Sequence, residues 1–138
     1  MRTYTDDLTR ILVDTLANID YLRDMPRDVL THLAFSMEAL KLDTDQCLYH
    51  EEDSYPYHKL AIILHGCVEI ATTMDKGTEF PLEHLGAGGI LNAHHFIVGR
   101  KACVSVRCLK ATTFYTLSFQ KLYEVSQIYP KLFKALTK

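Results

Sequence analysis

The chain has 138 residues, of which 48% are hydrophobic and 23% are charged, and its formal net charge is -2. This length predicts one domain, and this composition is typical of a folded globular protein rather than of a disordered tail. Lys and Arg are spread along the whole length and the longest apolar run, residues 60–64, is far shorter than a bilayer crossing, so we expect no nucleic-acid binding and no direct membrane insertion by this segment.

Two amphipathic helices are predicted at the start of the chain. Asp6 or Asp7 could cap the first helix. The second can begin with Asp24 as its cap and Pro26 in its first turn. The apolar faces comprise Leu8, Ile11, Leu12, Leu16 and Ile19 in the first helix, and Val29, Leu30, Leu33, Met37 and Leu40 in the second. We expect a helical hairpin whose first apolar stripe packs either on the chain's own core or against a neighbouring subunit.

Short β-prone runs separated by turn-like residues fill the middle of the chain, as is typical of antiparallel barrels and sandwiches. Val104, Val106 and Cys108 share one face of such a run and polar residues share the other, so we expect a sheet with one solvated side. Gly66 lies between two runs, where a hairpin turn needs a residue that tolerates positive φ. The predicted strands are residues 47–49, 60–64, 67–71, 79–84, 103–108 and 112–117.

The chain returns to helix after these strands. Ser118 is the predicted N-cap of one helix and Pro130 opens a last one, which we expect to be truncated at the end of the sequence. The predicted organisation is helices over residues 1–41, a β-core over residues 42–117 and helices over residues 118–138. The fold class is therefore mainly β: an antiparallel, jelly-roll-like β-roll with an N-terminal helical hairpin and C-terminal helices.

The four cysteines stand singly on candidate strands, and no C-x-x-C pair suggests zinc or redox chemistry. They are Cys47, Cys67, Cys103 and Cys108. We expect reduced, half-buried side chains, which indicates a reducing, cytoplasmic setting.

Two segments carry a family resemblance. Residues 60–70 are an apolar strand, Gly66 and a second strand, and residues 82–89 are a leucine-containing run that ends in a glycine-rich loop. The glycines of this loop are Gly86, Gly88 and Gly89. In this order the segments resemble the cyclic-nucleotide-binding domain of kinase regulatory subunits, bacterial transcription regulators and gated cation channels, with residues 82–89 leading into its phosphate-binding cassette.

The later part of the chain is most similar to the channel members of that family. The resemblance lies in residues 103–122 and in Tyr129 and Pro130, and residues 88–92 are similar to a run in ciliate potassium channels. It implies a cytoplasmic regulatory domain of a cation channel, a potassium channel in particular, which couples pocket occupancy to pore gating. Its partners would then be the rest of a membrane-embedded parent channel and neighbouring subunits.

The resemblance also assigns a binding site for cAMP or cGMP. In the family, a short helix and an arginine bind the cyclic phosphate, and a glutamate accepts a hydrogen bond from the ribose. The glycine and glutamate positions fall on Asn92 and Ala93, and losing a hydrogen bond to a charged group costs about 1.5–3 kcal/mol, or one to two decades of affinity. The implied site residues are Gly88, Gly89, Asn92, Ala93, Arg100, Ala102 and Cys103.

Two alternative functions remain open. Asn92 is a favoured helix cap that could occupy the donors a phosphate needs, which would leave a nucleotide-insensitive structural or oligomerisation domain. The pair His94 and His95 suggests a cupin-like metal-dependent enzyme, but adjacent residues on a strand face opposite ways. Residues 50–53 are more typical of a solvated turn than of an acid–base cluster, and no Ser-His-Asp order, P-loop or HExxH motif is present. We therefore predict no catalytic residue, no metal and no enzyme.

Overall fold

The computed structural model describes residues 4–49, 59–73, 79–93 and 104–136. It consists of two compact units. The helical unit contains the described residues up to Glu38 and those from Leu117 onward, and the β unit is Ala39–Thr116.

The helical unit is built from both ends of the chain. Its elements are α1 (Tyr4–Leu16), a short 3-10 helix (Asp20–Leu22), α2 (Arg27–Phe35), α3 (Phe119–Ser126) and α4 (Pro130–Leu136). α1 packs against α2 as the predicted hairpin, and α2 also contacts α3. The buried side chains include Leu12, Val13, Leu16, Leu22, Val29, Leu33, Leu122, Val125 and Leu132. Burial of this shared apolar face is the main stabilising term of the unit.

The predicted N-terminal caps of the first two helices are wrong, whereas the cap of α3 is confirmed. α1 already begins at Tyr4, so Asp6 and Asp7 lie inside its first turn. The residue before α2 is Pro26, which has no side chain able to cap, and Asp24 lies outside the helix. The Ser118 hydroxyl accepts a hydrogen bond from the Lys121 backbone N–H at 3.2 Å, as expected of an N-cap.

The β unit contains two four-stranded sheets. The first sheet has the order β1 (Glu38–Leu42), β8 (Thr112–Leu117), β3 (Leu60–His65) and β6 (Ile90–Leu91). The second has the order β2 (Cys47–Tyr49), β7 (Ser105–Cys108), β4 (Cys67–Thr73) and β5 (Glu79–Gly86). The pairs β2–β7, β3–β6, β4–β5 and β4–β7 are antiparallel. Neighbouring strands in each sheet are mostly distant in sequence, so long-range pairing builds the roll.

Two of these strands differ from the sequence-based expectation. Met37 and Leu40 continue the helical spacing of α2, yet the helix ends at Phe35 and β1 follows. Leu40 is 37% exposed, so it contributes little to a buried helical face. β6 is absent from the predicted strands, because its two residues are too few to show an alternation of apolar and polar side chains. In both strands, pairing with a distant strand decides the conformation over local propensity.

The core of the β unit lies between the sheets. The first sheet contributes Ala61, Ile63, Leu91 and Phe114, and the second contributes Tyr49, Val68, Ile70, Val106 and Cys108. Val106 and Cys108 are fully buried on alternate positions of β7, which confirms the predicted inward face of that strand. This core sets the spacing of the sheets and so the space left between them for a ligand.

Gly66 forms the turn between β3 and β4, with φ of 114°. The two strands lie in different sheets and do not pair, so the turn leads from one sheet to the other and the predicted hairpin is wrong. A Cβ atom at this position would lie 2.7 Å from the Thr112 Cα. The turn therefore requires glycine both for its backbone conformation and for the close approach of a second backbone.

The remaining sequence expectations concern cysteines and membrane segments. Cys47 and Cys67 are half-buried and Cys108 is buried, and none of the three forms a disulfide within the described part of the chain, whereas Cys103 lies outside it. None of the described helices has both the length and the hydrophobicity that crossing a bilayer requires.

Candidate ligand-binding site

A cavity of about 370 Å³ lies in the β unit. Residues of both sheets line it: Tyr49, Ile70, Leu82, Glu83, Leu85, Ile90, Leu91, Asn92, Ala93 and Val104. Its volume falls within the range of small-molecule sites, about 300–1,000 Å³. Most of the lining is apolar, and the side chains that carry polar groups are those of Tyr49, Glu83 and Asn92. Such a cavity suits a ligand with a flat apolar body and few polar groups.

The glycine-rich loop between β5 and β6 positions one wall of the cavity. The Gly88 N–H donates to the Ile63 carbonyl at 2.8 Å, and the Gly89 carbonyl accepts from the Ile63 N–H at 2.9 Å. Gly88 has φ of 87°, in the left-handed region. These hydrogen bonds hold the loop against β3, so that β6 pairs with β3 and the residues after β6 lie at the cavity.

Asn92 ends β6 with a left-handed backbone, φ 66°. Its side-chain Nδ2 donates to the Lys59 carbonyl at 3.5 Å, next to the start of β3. A helix N-cap residue normally has an extended backbone, so this conformation differs from the one our capping hypothesis requires. Asparagine is among the few non-glycine residues that adopt the left-handed region readily.

A β-bulge in β5 brings two consecutive side chains to the cavity. Ile70 of β4 pairs with Glu83 and Ala71 pairs with Pro81, so Leu82 is the extra residue. Neighbouring residues on a regular strand face opposite ways, but a bulge redirects one of them. Leu82 and Glu83 therefore both line the cavity. Sequence reasoning missed both, and the available signal was Pro81, because proline inside a strand indicates an edge or a bulge.

The outer face of the second sheet carries a network of ion pairs. Arg107 bridges Asp45 at 2.9 Å and Glu69 at 3.2 Å, and the His84 Nε2 lies 3.4 Å from the other Glu69 oxygen. The hydrogen bond from Arg107, together with that from His84, holds the pKa of Glu69 below its usual value. The network joins β4, β5 and β7 on the side opposite to Ile70 and Leu85. It therefore supports the cavity wall without lining it.

A second cavity, of about 390 Å³, lies in the helical unit. Asp20 and Asp24 line it together with Lys131 and Lys134, so charges of both signs face it. Burial raises the pKa of the Tyr21 hydroxyl, which also lines this cavity. None of the ligand-binding or metal-binding residues nominated from the sequence lines this cavity. Among the described residues of both units, no group of three or more His, Cys, Asp or Glu side chains could hold a metal ion.

The family of the chain follows from comparison with known proteins. The family model described as the cyclic nucleotide-binding domain matches residues 39–129, which is more than half of the sequence. The chain belongs to the cyclic nucleotide-binding domain family. This family consists of regulatory rather than catalytic domains. A comparison with curated protein sequences gives no match.

Solved cyclic-nucleotide-binding and related domains share the fold at low sequence identity. The N-terminal domain of a transcriptional regulator from Streptomyces coelicolor A3(2) has a TM-score of 0.79 at 19% identity, over 90% of this chain and 87% of that chain. A cyclic nucleotide-binding domain from Methylobacillus flagellatus KT has a TM-score of 0.79 at 22% identity, over 96% and 74%. The regulatory domain of Toxoplasma gondii PKA, crystallised with cAMP, has a TM-score of 0.76 at 16% identity, over 91% and 46%. The predicted β-roll with flanking helices is confirmed. None of the three is described as part of a channel, and the channel assignment stays a prediction.

In this cyclic nucleotide-binding domain, only some of the predicted cassette residues lie at the cavity. Asn92 and Ala93 line the cavity, whereas Gly88 and Gly89 lie in the loop that precedes them. The other nominated residues lie outside the described residues: Arg100, Ala102 and Cys103 of the cassette, His94 and His95 of the metal alternative, and the acidic run at residues 50–53. Of the four nominated residues that the structure describes, two therefore lie at the intersheet cavity and two do not line it.

Proposed function

We propose that this domain binds a cyclic nucleotide, cAMP or cGMP, in the intersheet cavity and serves as the sensor of a larger regulatory protein. The position of Asn92 and Ala93 carries this proposal, because the residues at which the cassette begins line a cavity of suitable size. Its apolar walls can pack against a purine, and Tyr49 offers an aromatic surface. The family and the fold support the same ligand class.

The proposed output is a shift between two arrangements of the regulatory protein. A ligand can shift such an equilibrium only by its different affinities for the two states. Gating of a cation channel, and of a potassium channel in particular, is the finer proposal. It rests on the similarity of residues 103–122 to channel domains. We propose with it a cytoplasmic location, a membrane-embedded parent protein, and boundaries at residues 41 and 117 between the helical segments and the β-roll.

A nucleotide-insensitive structural or oligomerisation domain is the second candidate. It is favoured by Ala93, which places a methyl group where binding members of the family have a carboxylate. This difference weakens a cassette of the usual design.

Calorimetric titration with cAMP and cGMP tests the proposal. Because one charged hydrogen bond of the usual cassette is lost, we expect weakened binding, with a dissociation constant of about 10–100 µM for the better ligand. Leu82→Trp narrows the cavity and should weaken binding at least about tenfold, which corresponds to 1.4 kcal/mol. Phe80→Trp is the matched control, because Phe80 is as exposed as Leu82 on the same strand but does not line the cavity.

Three other results would contradict the proposal. Absence of heat for both nucleotides at about 1 mM, where even weak binding is measurable, favours the structural domain. Equal weakening by the two tryptophan variants places the ligand elsewhere. A stoichiometric metal in the purified protein favours the cupin-like enzyme instead.

A further inference from the structure

Glu83 is the charged side chain among the described residues that line the intersheet cavity. Its cross-strand partner on β4 is Ile70, a member of the buried core between the sheets. Directly paired residues of an antiparallel ladder extend from the same face of the sheet. The carboxylate of Glu83 therefore belongs to the inner face of β5, next to Leu85, whereas His84 belongs to the outer face with Glu69.

The described surroundings of Glu83 offer its carboxylate few hydrogen-bond donors that could replace water. The rest of the described lining is apolar except for the Asn92 amide and the Tyr49 hydroxyl, and within the described part of the chain Glu83 makes no hydrogen bond or ion pair. Glu83 is exposed in this structure, so water solvates it while the cavity is open. A ligand that fills the cavity displaces that water, and an ionised carboxylate left without a donor is costly to bury.

We propose that Glu83 is a specificity-determining residue, which accepts a hydrogen bond from a hydroxyl or amino group of the bound ligand. This inference rests on the proposed function. A ligand that presents such a donor toward β5 replaces the lost water, and one that presents an acceptor or an anion there is rejected. The phosphate of a cyclic nucleotide must then lie away from Glu83, because the two negative charges repel each other.

cAMP has two donors that can meet this requirement, the ribose hydroxyl and the exocyclic amine of adenine. Calorimetry with cAMP, its deoxyribose analogue and the analogue with unsubstituted purine as its base distinguishes them, because each analogue lacks one donor and gains none. We expect Glu83→Ala to weaken cAMP binding by about 10–100-fold, the factor that a hydrogen bond to a charged group provides. Glu83→Gln keeps a carbonyl acceptor and should lose less.

The matched control is Glu79→Gln, an exposed glutamate on the same strand that does not line the cavity, which should bind like the wild type. The analogue that lacks the relevant donor should lose affinity in the wild-type protein and lose nothing further in Glu83→Ala. Thermal unfolding of each variant verifies that the exposed substitutions leave the fold intact.

Failure of this inference differs from failure of the proposed function. If wild type binds cAMP and Glu83→Ala binds it equally well or more tightly, Glu83 is not an acceptor for the ligand, and the function stands. If wild type tolerates the loss of each donor without a change in affinity, the selectivity proposed for Glu83 is wrong. If wild type binds no cyclic nucleotide, both proposals fail.

Discussion

At single residues, backbone conformation explains most of what the β unit requires. Gly66 and Gly88 both have positive φ, but only Gly66 also lies against a second backbone, that of Thr112. Around Gly88, apart from its two chain neighbours, no described residue has a heavy atom within 4 Å of the position that a Cβ would take. Asn92 also has a left-handed backbone, which its short polar side chain tolerates. A helix N-cap has an extended backbone instead, so our interpretation of Asn92 as a cap does not match its conformation.

The two glycines make a matched pair for mutation. Gly66→Ala adds backbone strain and an overlap with Thr112, so we expect it to lower the free energy of unfolding by about 2–5 kcal/mol. Gly88→Ala adds only the strain of the left-handed backbone, for which we expect about 1–2 kcal/mol. Denaturant unfolding monitored by circular dichroism measures both. Equal losses for the two variants would show that the close approach to Thr112 costs nothing.

At the level of elements, sheet pairing aligns the charges on the outer face of the second sheet. Arg107 on β7, Glu69 on β4 and His84 on β5 are direct cross-strand neighbours, and Asp45 in the turn before β2 binds the other side of Arg107. Opposite charges at paired positions stabilise a ladder. β5 is an edge strand with exposed Phe80 and Leu82. The ion pairs therefore help to hold this edge strand, which lines the proposed ligand site, against β4.

The network predicts a dependence of stability on pH. The pKa of Glu69 is lowered from its usual value of 4.5, chiefly by the hydrogen bond from Arg107. A carboxyl group whose pKa is lower in the folded state stabilises the fold fully above its unfolded pKa, and this contribution is lost as pH falls through the folded value. Glu69→Gln should therefore be less stable than wild type at neutral pH, and the difference should shrink as pH falls below about 4.5.

Denaturant unfolding of wild type and Glu69→Gln between neutral and acidic pH measures this difference. Glu79→Gln on the same sheet is the control, because Glu79 is exposed and makes no ion pair with another described residue. A difference between wild type and Glu69→Gln that stays constant with pH would mean that the ionised form of Glu69 contributes nothing.

At the scale of the whole molecule, each of the two units has a buried core of its own. Helices from the two ends of the chain share one core, and the other lies between the sheets around Phe114. Phe114 is fully buried, and its neighbours come from strands of both sheets. The cavity lies beside this core and shares Tyr49, Ile70 and Leu91 with it. Packing of the core therefore also sets the shape of the proposed binding site.

Truncation of the central aromatic residue tests this core. Phe114→Ala should lower the free energy of unfolding by about 3–5 kcal/mol, because it removes buried apolar area and leaves a void. Phe80→Ala is the control, since Phe80 is 53% exposed, and it should cost no more than about 0.5 kcal/mol. The midpoint of denaturant unfolding measures both changes. Similar values for the two variants would mean that Phe114 is not a central packing residue.

The sequence alone determined the features that are encoded within a few residues. Gly66 marked a tight turn, Ser118 its helix cap and the alternation of Val106 and Cys108 the inner face of β7, because each depends on neighbours in the chain. The fold class and the cavity position of Asn92 and Ala93 followed from the order of such features and from the family resemblance.

Only the tertiary structure decided what depends on distant partners. Residues 38–42 have helical spacing but pair as β1, and Leu82 and Glu83 reach the cavity through a bulge whose partner strand is β4. The ion pairs of Arg107 join residues 38 and 62 positions apart in the chain. A hydrophobic pattern shows which side of a strand tends to be buried, but register and bulges arise from long-range packing, and these place Glu83 at the cavity.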